Sequence, residues 1–103
     1  MQAYAEALRR NPRDEVAAND LAAALLRQGR AAEAVTWFRR ALALRPQPDQ
    51  LFNLGLALEA AGQPAEAIET YRRYLSSGGR TGTAQLEAAR ARLARLQAGA
   101  PGQ

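Results

Sequence analysis

Cysteine and histidine are both absent from the 103 residues. Without thiols there is no disulfide framework and no thiolate metal site. Without imidazole as well, nucleophilic triads, zinc sites and imidazole acid–base chemistry are excluded together. No metal, cofactor or catalytic residue is therefore expected, and an enzyme finds no support in the residues. Lysine is missing too: all fourteen cations are arginine, at a formal charge of +4. In so alanine-rich a chain this points to a GC-rich coding sequence more than to a selected binding surface. Aromatic residues make up only 6% of the chain. Val, Ile and Thr are scattered singly, so no segment can serve as a central strand. No apolar run approaches the ~20 residues that span a bilayer. Nothing resembles the charged and apolar regions of a signal peptide, which makes the cytoplasm the default expectation.

What is present is alanine, leucine and a period. Alanine has the best intrinsic helix propensity, and small side chains suit closely packed helices, so the chain reads as all-α. Asn19 to Pro46 forms two amphipathic segments hinged at Gly29, and Phe52 to Leu75 repeats them. Leu21, Leu25, Gly29, Glu33, Ala34, Phe38, Arg39, Arg40 and Leu42 recur as Leu54, Leu58, Gly62, Glu66, Ala67, Tyr71, Arg72, Arg73 and Leu75, each 33 residues later. Self-similarity at one fixed period marks a stacked repeat array.

The first copy carries Ala18-x2-Leu21-Ala22-x2-Leu25, Ala34-x3-Phe38 and Pro46; the second carries Leu51-x2-Leu54-Gly55-x2-Leu58 and Ala67-x3-Tyr71. In this the chain resembles the tetratricopeptide repeat, whose pattern is W-x2-L-G-x2-Y, A-x3-F and P. Ala18 and Leu51 stand for its Trp, Leu25 and Leu58 for its Tyr, and Tyr74 where a small residue such as Ala41 is usual. The resemblance implies an α-solenoid of antiparallel helix hairpins with a C-terminal capping helix. One domain is expected over residues 1–97: a half-repeat at 2–12, repeats at 14–46 and 48–78, and the capping helix at 82–97. Residues 98–103 are expected as a flexible tail.

Local signals place the boundaries. Asn11-Pro12 ends the first helix, and Asp14 is a good N-cap for a helix over 15–28. Gly29 and Gly62 suit left-handed C′ positions, and Pro48 and Pro64 suit first turns. Gly55, in mid-helix, costs roughly 1 kcal/mol of propensity against Ala and predicts a close helix–helix approach. Gly78 to Gly82 marks a break. Beyond it, Leu86, Ala89, Leu93 and Leu96 share one side of an amphipathic helix.

By resemblance, the first helix of each hairpin lines a concave groove that holds a peptide. That maps the groove onto Asn19, Asp20, Ala23 and Leu26, and onto Phe52, Asn53, Leu56 and Glu59. Phe52, beside an Asn able to bond a backbone amide, is the expected anchor; the competing expectation is that Phe52 packs on the capping helix. A subset of the family grips a C-terminal carboxylate with Lys and Asn. Asn53 matches one of those positions, but Asn19 and Ala23 replace the others, so no such clamp is expected. The second expectation is assembly. Tyr4, Ala7 and Leu8 share a face at i, i+3 and i+4, and one side of it is open to a homo-oligomer or a neighbouring domain.

The arginine pairs Arg39-Arg40 and Arg72-Arg73 suggest nucleic acid only weakly. Cations near helix C-termini complement the macrodipole, and no aromatic ladder accompanies them. Glu69 precedes Arg73 by four residues, a favourable helical pair. Glu33 and Glu66 sit in first turns, where negative charge is favourable. Trp37, replaced by Thr70 in the second copy, either fills a gap near Ala41 or makes a surface contact.

Overall fold

The computed structural model describes residues 2–77 and 83–99, which form six helices and, among these residues, no strand. They are α1 (Gln2–Arg10), α2 (Glu15–Arg27), α3 (Ala31–Leu44), α4 (Pro48–Ala60), α5 (Pro64–Ser76) and α6 (Thr83–Gly99). The break expected at 78–82 and residues 100–103 lie outside the described residues. α6 runs through Ala98 and Gly99, so the helix takes in the first two residues expected in the tail. Ala98 is a strong helix former and simply continues the ladder.

The helix ends follow from backbone chemistry. The Asp14 carboxylate accepts the Ala17 N–H at 3.0 Å, the N-cap bond of α2. Gly29 and Gly62 take φ of +81° and +76°. At the first turn the Arg30 N–H bonds the Leu25 carbonyl at 2.9 Å and the Gly29 N–H bonds Leu26 at 3.0 Å. At the second, Gln63 bonds Leu58 at 2.9 Å and Gly62 bonds Glu59 at 3.1 Å. Both turns are Schellman motifs, which satisfy the last carbonyls of each first helix and reverse the chain. Pro48 and Pro64 start α4 and α5, where a missing N–H leaves no bond unmade.

Packing is between chain neighbours. α2 pairs with α3 and α4 with α5 as antiparallel hairpins, α3 meets α4, α5 meets α6, and α1 lies on α2. The first helices α2 and α4 also touch. The result is an all-α solenoid measuring 46 × 27 × 20 Å. One continuous core runs through it, with Phe38, Leu58, Tyr71 and Tyr74 its largest fully buried side chains.

The mid-helix glycine has a steric cause. A Cβ on Gly55 would stand 2.4 Å from Cε1 of Tyr71 and 2.8 Å from Cδ1 and Cζ. The Tyr71 ring therefore rests directly on the α4 backbone. The equivalents in the first hairpin are Ala22 and Phe38, both buried.

Candidate functional site

All eight residues expected in the groove lie on the first helices, four on α2 and four on α4, and all eight are half-buried. Because α2 and α4 touch, the two quartets lie on adjacent helices. Ala23, Leu26 and Phe52 lean against the core, so each has one side committed inward.

Phe52 is held by the second helix of its own hairpin. Its ring centroid stands 6.0 Å from that of Tyr71 and 5.7 Å from that of Tyr74, tilted by 48° and 46°. These separations favour aromatic contact. They also account for Tyr74, which is fully buried where the first hairpin has Ala41. Position 52 carries Phe where its equivalent, 19, carries Asn. The large pair Phe52–Tyr74 thus replaces the small pair Asn19–Ala41.

Glu59 has a different environment from the one the groove reading gives it. Its Oε1 accepts the Tyr71 hydroxyl at 2.6 Å and the Arg92 guanidinium at 3.0 Å. Its Oε2 lies 3.9 Å from Arg95, and the side chain is 17% exposed. The carboxylate therefore ties α4 to α5 and to α6. Burial first, and the Glu59 hydrogen bond second, hold the Tyr71 hydroxyl well above the usual tyrosine range. The bond to Glu59 likewise raises the Arg92 guanidinium. Nothing in the order of residues pairs Glu59 with a cation 33 positions later.

Val16 is the residue that the spacing could have added. At 61% exposure it is the large apolar side chain most open to solvent among the described residues. It precedes Asn19, Asp20 and Ala23 by three, four and seven residues, and so shares their face of α2. Three oxygens of the first helices, Asn19 Oδ1, Asp49 Oδ1 and Gln50 Oε1, are buried without a hydrogen-bond partner among the described residues. Such groups cost about 1–3 kcal/mol each when unpaired.

The expected open edge on α1 is closed at its centre. Leu8 is only 8% exposed and belongs to the core, with Tyr4 and Ala7 half-buried against it. Packing of α1 on α2 draws Leu8 inward, which leaves Tyr4 and Ala7 as the accessible part of that face.

The remaining charges divide unevenly between the copies. Glu33 is gripped by Arg30 through bonds of 2.8 and 2.7 Å, which lower its carboxyl from the usual range. Glu66 instead pairs with Arg39 across the two hairpins. Glu69 and Arg73 form no ion pair within 4.0 Å among the described residues, despite their spacing. Exposed pairs gain too little to fix two long side chains. Arg40 lies over the Trp37 ring, 4.9 Å from its centroid. Trp37 is half-buried and packed against the core, so it both fills space and faces outward.

The family profile described as Tetratricopeptide repeat matches residues 13–78, which are α2 to α5 with both Schellman turns. The chain belongs to the tetratricopeptide-repeat family. No curated protein matches it. Tetratricopeptide repeats are in general protein–protein interaction modules, typically non-catalytic scaffolds, and their partners are proteins. Among the described residues, no helix is long and apolar enough to cross a membrane.

Proposed function

We propose that this tetratricopeptide-repeat chain binds a peptide segment of a partner protein along the face shared by α2 and α4. The observation that carries the reading is the row of half-buried apolar side chains Ala23, Leu26, Phe52 and Leu56, continued on α2 into the exposed Val16. Asn19, Asp20 and Asn53 stand among them as polar groups able to bond a peptide backbone. Phe52, clasped between two tyrosines, offers its free side in one orientation, so little ordering entropy is lost when a partner seats on it. Glu59 is spent on α6 and contributes a boundary to the groove rather than a contact. A surface this short gives weak to moderate affinity.

The test is to pan a display library of random short peptides on the immobilised chain and to measure the selected peptides by calorimetry. Val16→Glu, a substitution at an exposed position, is expected to weaken them by about tenfold, as loss of one good apolar contact does. Arg72→Ala, on the exposed side of α5, is expected to leave them unchanged. Selected peptides indifferent to both Val16→Glu and Phe52→Ala would refute the groove.

A further inference from the structure

Two clefts open between successive second helices, and none of the eight groove residues lines either of them. One, of about 510 Å³, lies between α3 and α5; the other, of about 390 Å³, lies between α1 and α3. They are repeat equivalents. Leu8 and Pro12 in the smaller cleft correspond to Leu42 and Pro46 in the larger, and Leu21, Trp37 and Arg40 correspond to Leu54, Thr70 and Arg73.

Their chemistry nevertheless differs. The α3–α5 cleft is neutralised by its own chain: two arginines are matched by two glutamates, and Arg39 is paired with Glu66. The α1–α3 cleft has Arg9 and Arg40 on its wall and no acid. Its seat is apolar, made by Leu8, Leu21, Leu44 and Trp37. The acids nearest in sequence are committed or distant. Glu15 pairs with Arg45 at 3.3 Å and Asp14 caps α2, while Glu6 reaches Arg9 only at 4.0 Å with both side chains largely exposed. Arg40 lies over the Trp37 ring at the cleft and makes no ion pair within 4.0 Å among the described residues, so its charge is available to a carboxylate.

We propose that the α1–α3 cleft is a second docking site, for a peptide segment that carries an apolar side chain flanked by acidic residues. The apolar side chain seats on Trp37 and the three leucines, and the carboxylates bond Arg9 and Arg40. Charge complementarity selects this occupant: the cleft lining holds two cations and no acid, and the one ion pair either of them makes, Arg9 with Glu6, is long and exposed, while charge-assisted bonds to arginine are the strong ones. A volume of about 390 Å³ falls near the lower end of the ~300–1,000 Å³ that binding pockets occupy. A nucleic acid would meet only two cations and an apolar floor that its phosphates cannot use. This site does not depend on the α2–α4 groove.

Trp37 is the only tryptophan in the chain, so its emission reports on the cleft directly. The full chain is titrated with a panel of short capped peptides in which Leu, Met or Phe is flanked on both sides by Asp and Glu. A saturable shift of Trp37 emission is expected, at least about tenfold tighter than with the same peptides carrying Lys for each acid. Arg40→Glu and Arg9→Glu change exposed residues; each is expected to weaken binding about tenfold or more while circular dichroism confirms the fold. Val16→Glu is expected to leave it unchanged. Any of four results overturns the proposal: no acidic member shifts the emission up to millimolar concentration, the Lys peptides bind as well, polyglutamate without an apolar residue binds as well, or the binding is lost in Val16→Glu.

Discussion

Replacing Gly55 by alanine sets two effects of known size against each other. In an exposed helix the change would stabilise by about 1 kcal/mol, because glycine is the poorer helix former. Here the new Cβ would meet three atoms of the Tyr71 ring at 2.4 to 2.8 Å. Overpacking of a tight core costs about 1–3 kcal/mol, and contacts this short place Gly55→Ala in the upper part of that range. A net loss of about 1–2 kcal/mol remains, equivalent to roughly 4–16 °C in Tm for a domain of this size. The ring cannot slide away freely, because its hydroxyl is tied to Glu59 at 2.6 Å and Glu59 is tied to Arg92. Tyr71→Phe removes that tether and makes the pair resemble Ala22 and Phe38 in the first hairpin. Alanine at 55 is then expected to cost less by about 1 kcal/mol, which a double-mutant cycle measures. Urea unfolding followed by circular dichroism gives all four stabilities. A Gly55→Ala variant more stable than the parent, or a coupling indistinguishable from zero, would refute the tether.

Two further outcomes follow from burial. With no cysteine, histidine or lysine, little but tyrosine titrates between about pH 8.5 and 11. Tyr71 holds its proton more tightly folded than unfolded, so its contribution is complete below pH ~10 and is lost as the pH rises further, by about 1.4 kcal/mol per unit for one proton. Thermal melts should therefore fall steeply above pH ~10, and Tyr71→Phe should remove most of that slope; an unchanged slope would show that Tyr71 is not its source. Leu8→Ala is expected to cost about 2–5 kcal/mol as a core truncation and to leave the mass by light scattering unaltered. A change in mass with stability intact would return Leu8 to the surface and to an assembly role.

The features legible in the sequence are those set by one residue and its near neighbours. Asp14, Gly29, Gly62, Pro48 and Pro64 act on backbone within a turn of themselves, and the helix ends fall within a residue of where those signals put them. The 33-residue period gave the stacking order for the same reason, since each hairpin repeats one local solution. Side chains whose partners lie far along the chain were not legible. Leu8 reads as an edge until α2 is seen to cover it. Trp37 has no counterpart in the second copy, and its setting depends on α1 and on Arg40. Glu33 and Glu66 look identical at one period, yet one grips its own N-cap residue and the other bridges two helices. Val16 was within reach of periodicity, but valine at the start of a helix carries no sign that it faces solvent.

The second hairpin departs from the first because its outer neighbour is α6 instead of another hairpin. Ala22 becomes Gly55, Asn19 becomes Phe52, Ala41 becomes Tyr74 and Leu26 becomes Glu59. These four changes form one set of contacts. Arg92 of α6 holds Glu59, Glu59 holds the Tyr71 hydroxyl, the Tyr71 ring lies on Gly55, and Tyr71 and Tyr74 together hold Phe52. Seating α6 therefore fixes the orientation of the aromatic side chain proposed as the groove's anchor, through packed rings and charge-assisted bonds with no flexible link between them. α6 and the α2–α4 face are in this sense one packed unit, and the helix that covers the second hairpin also shapes the surface proposed to receive a peptide.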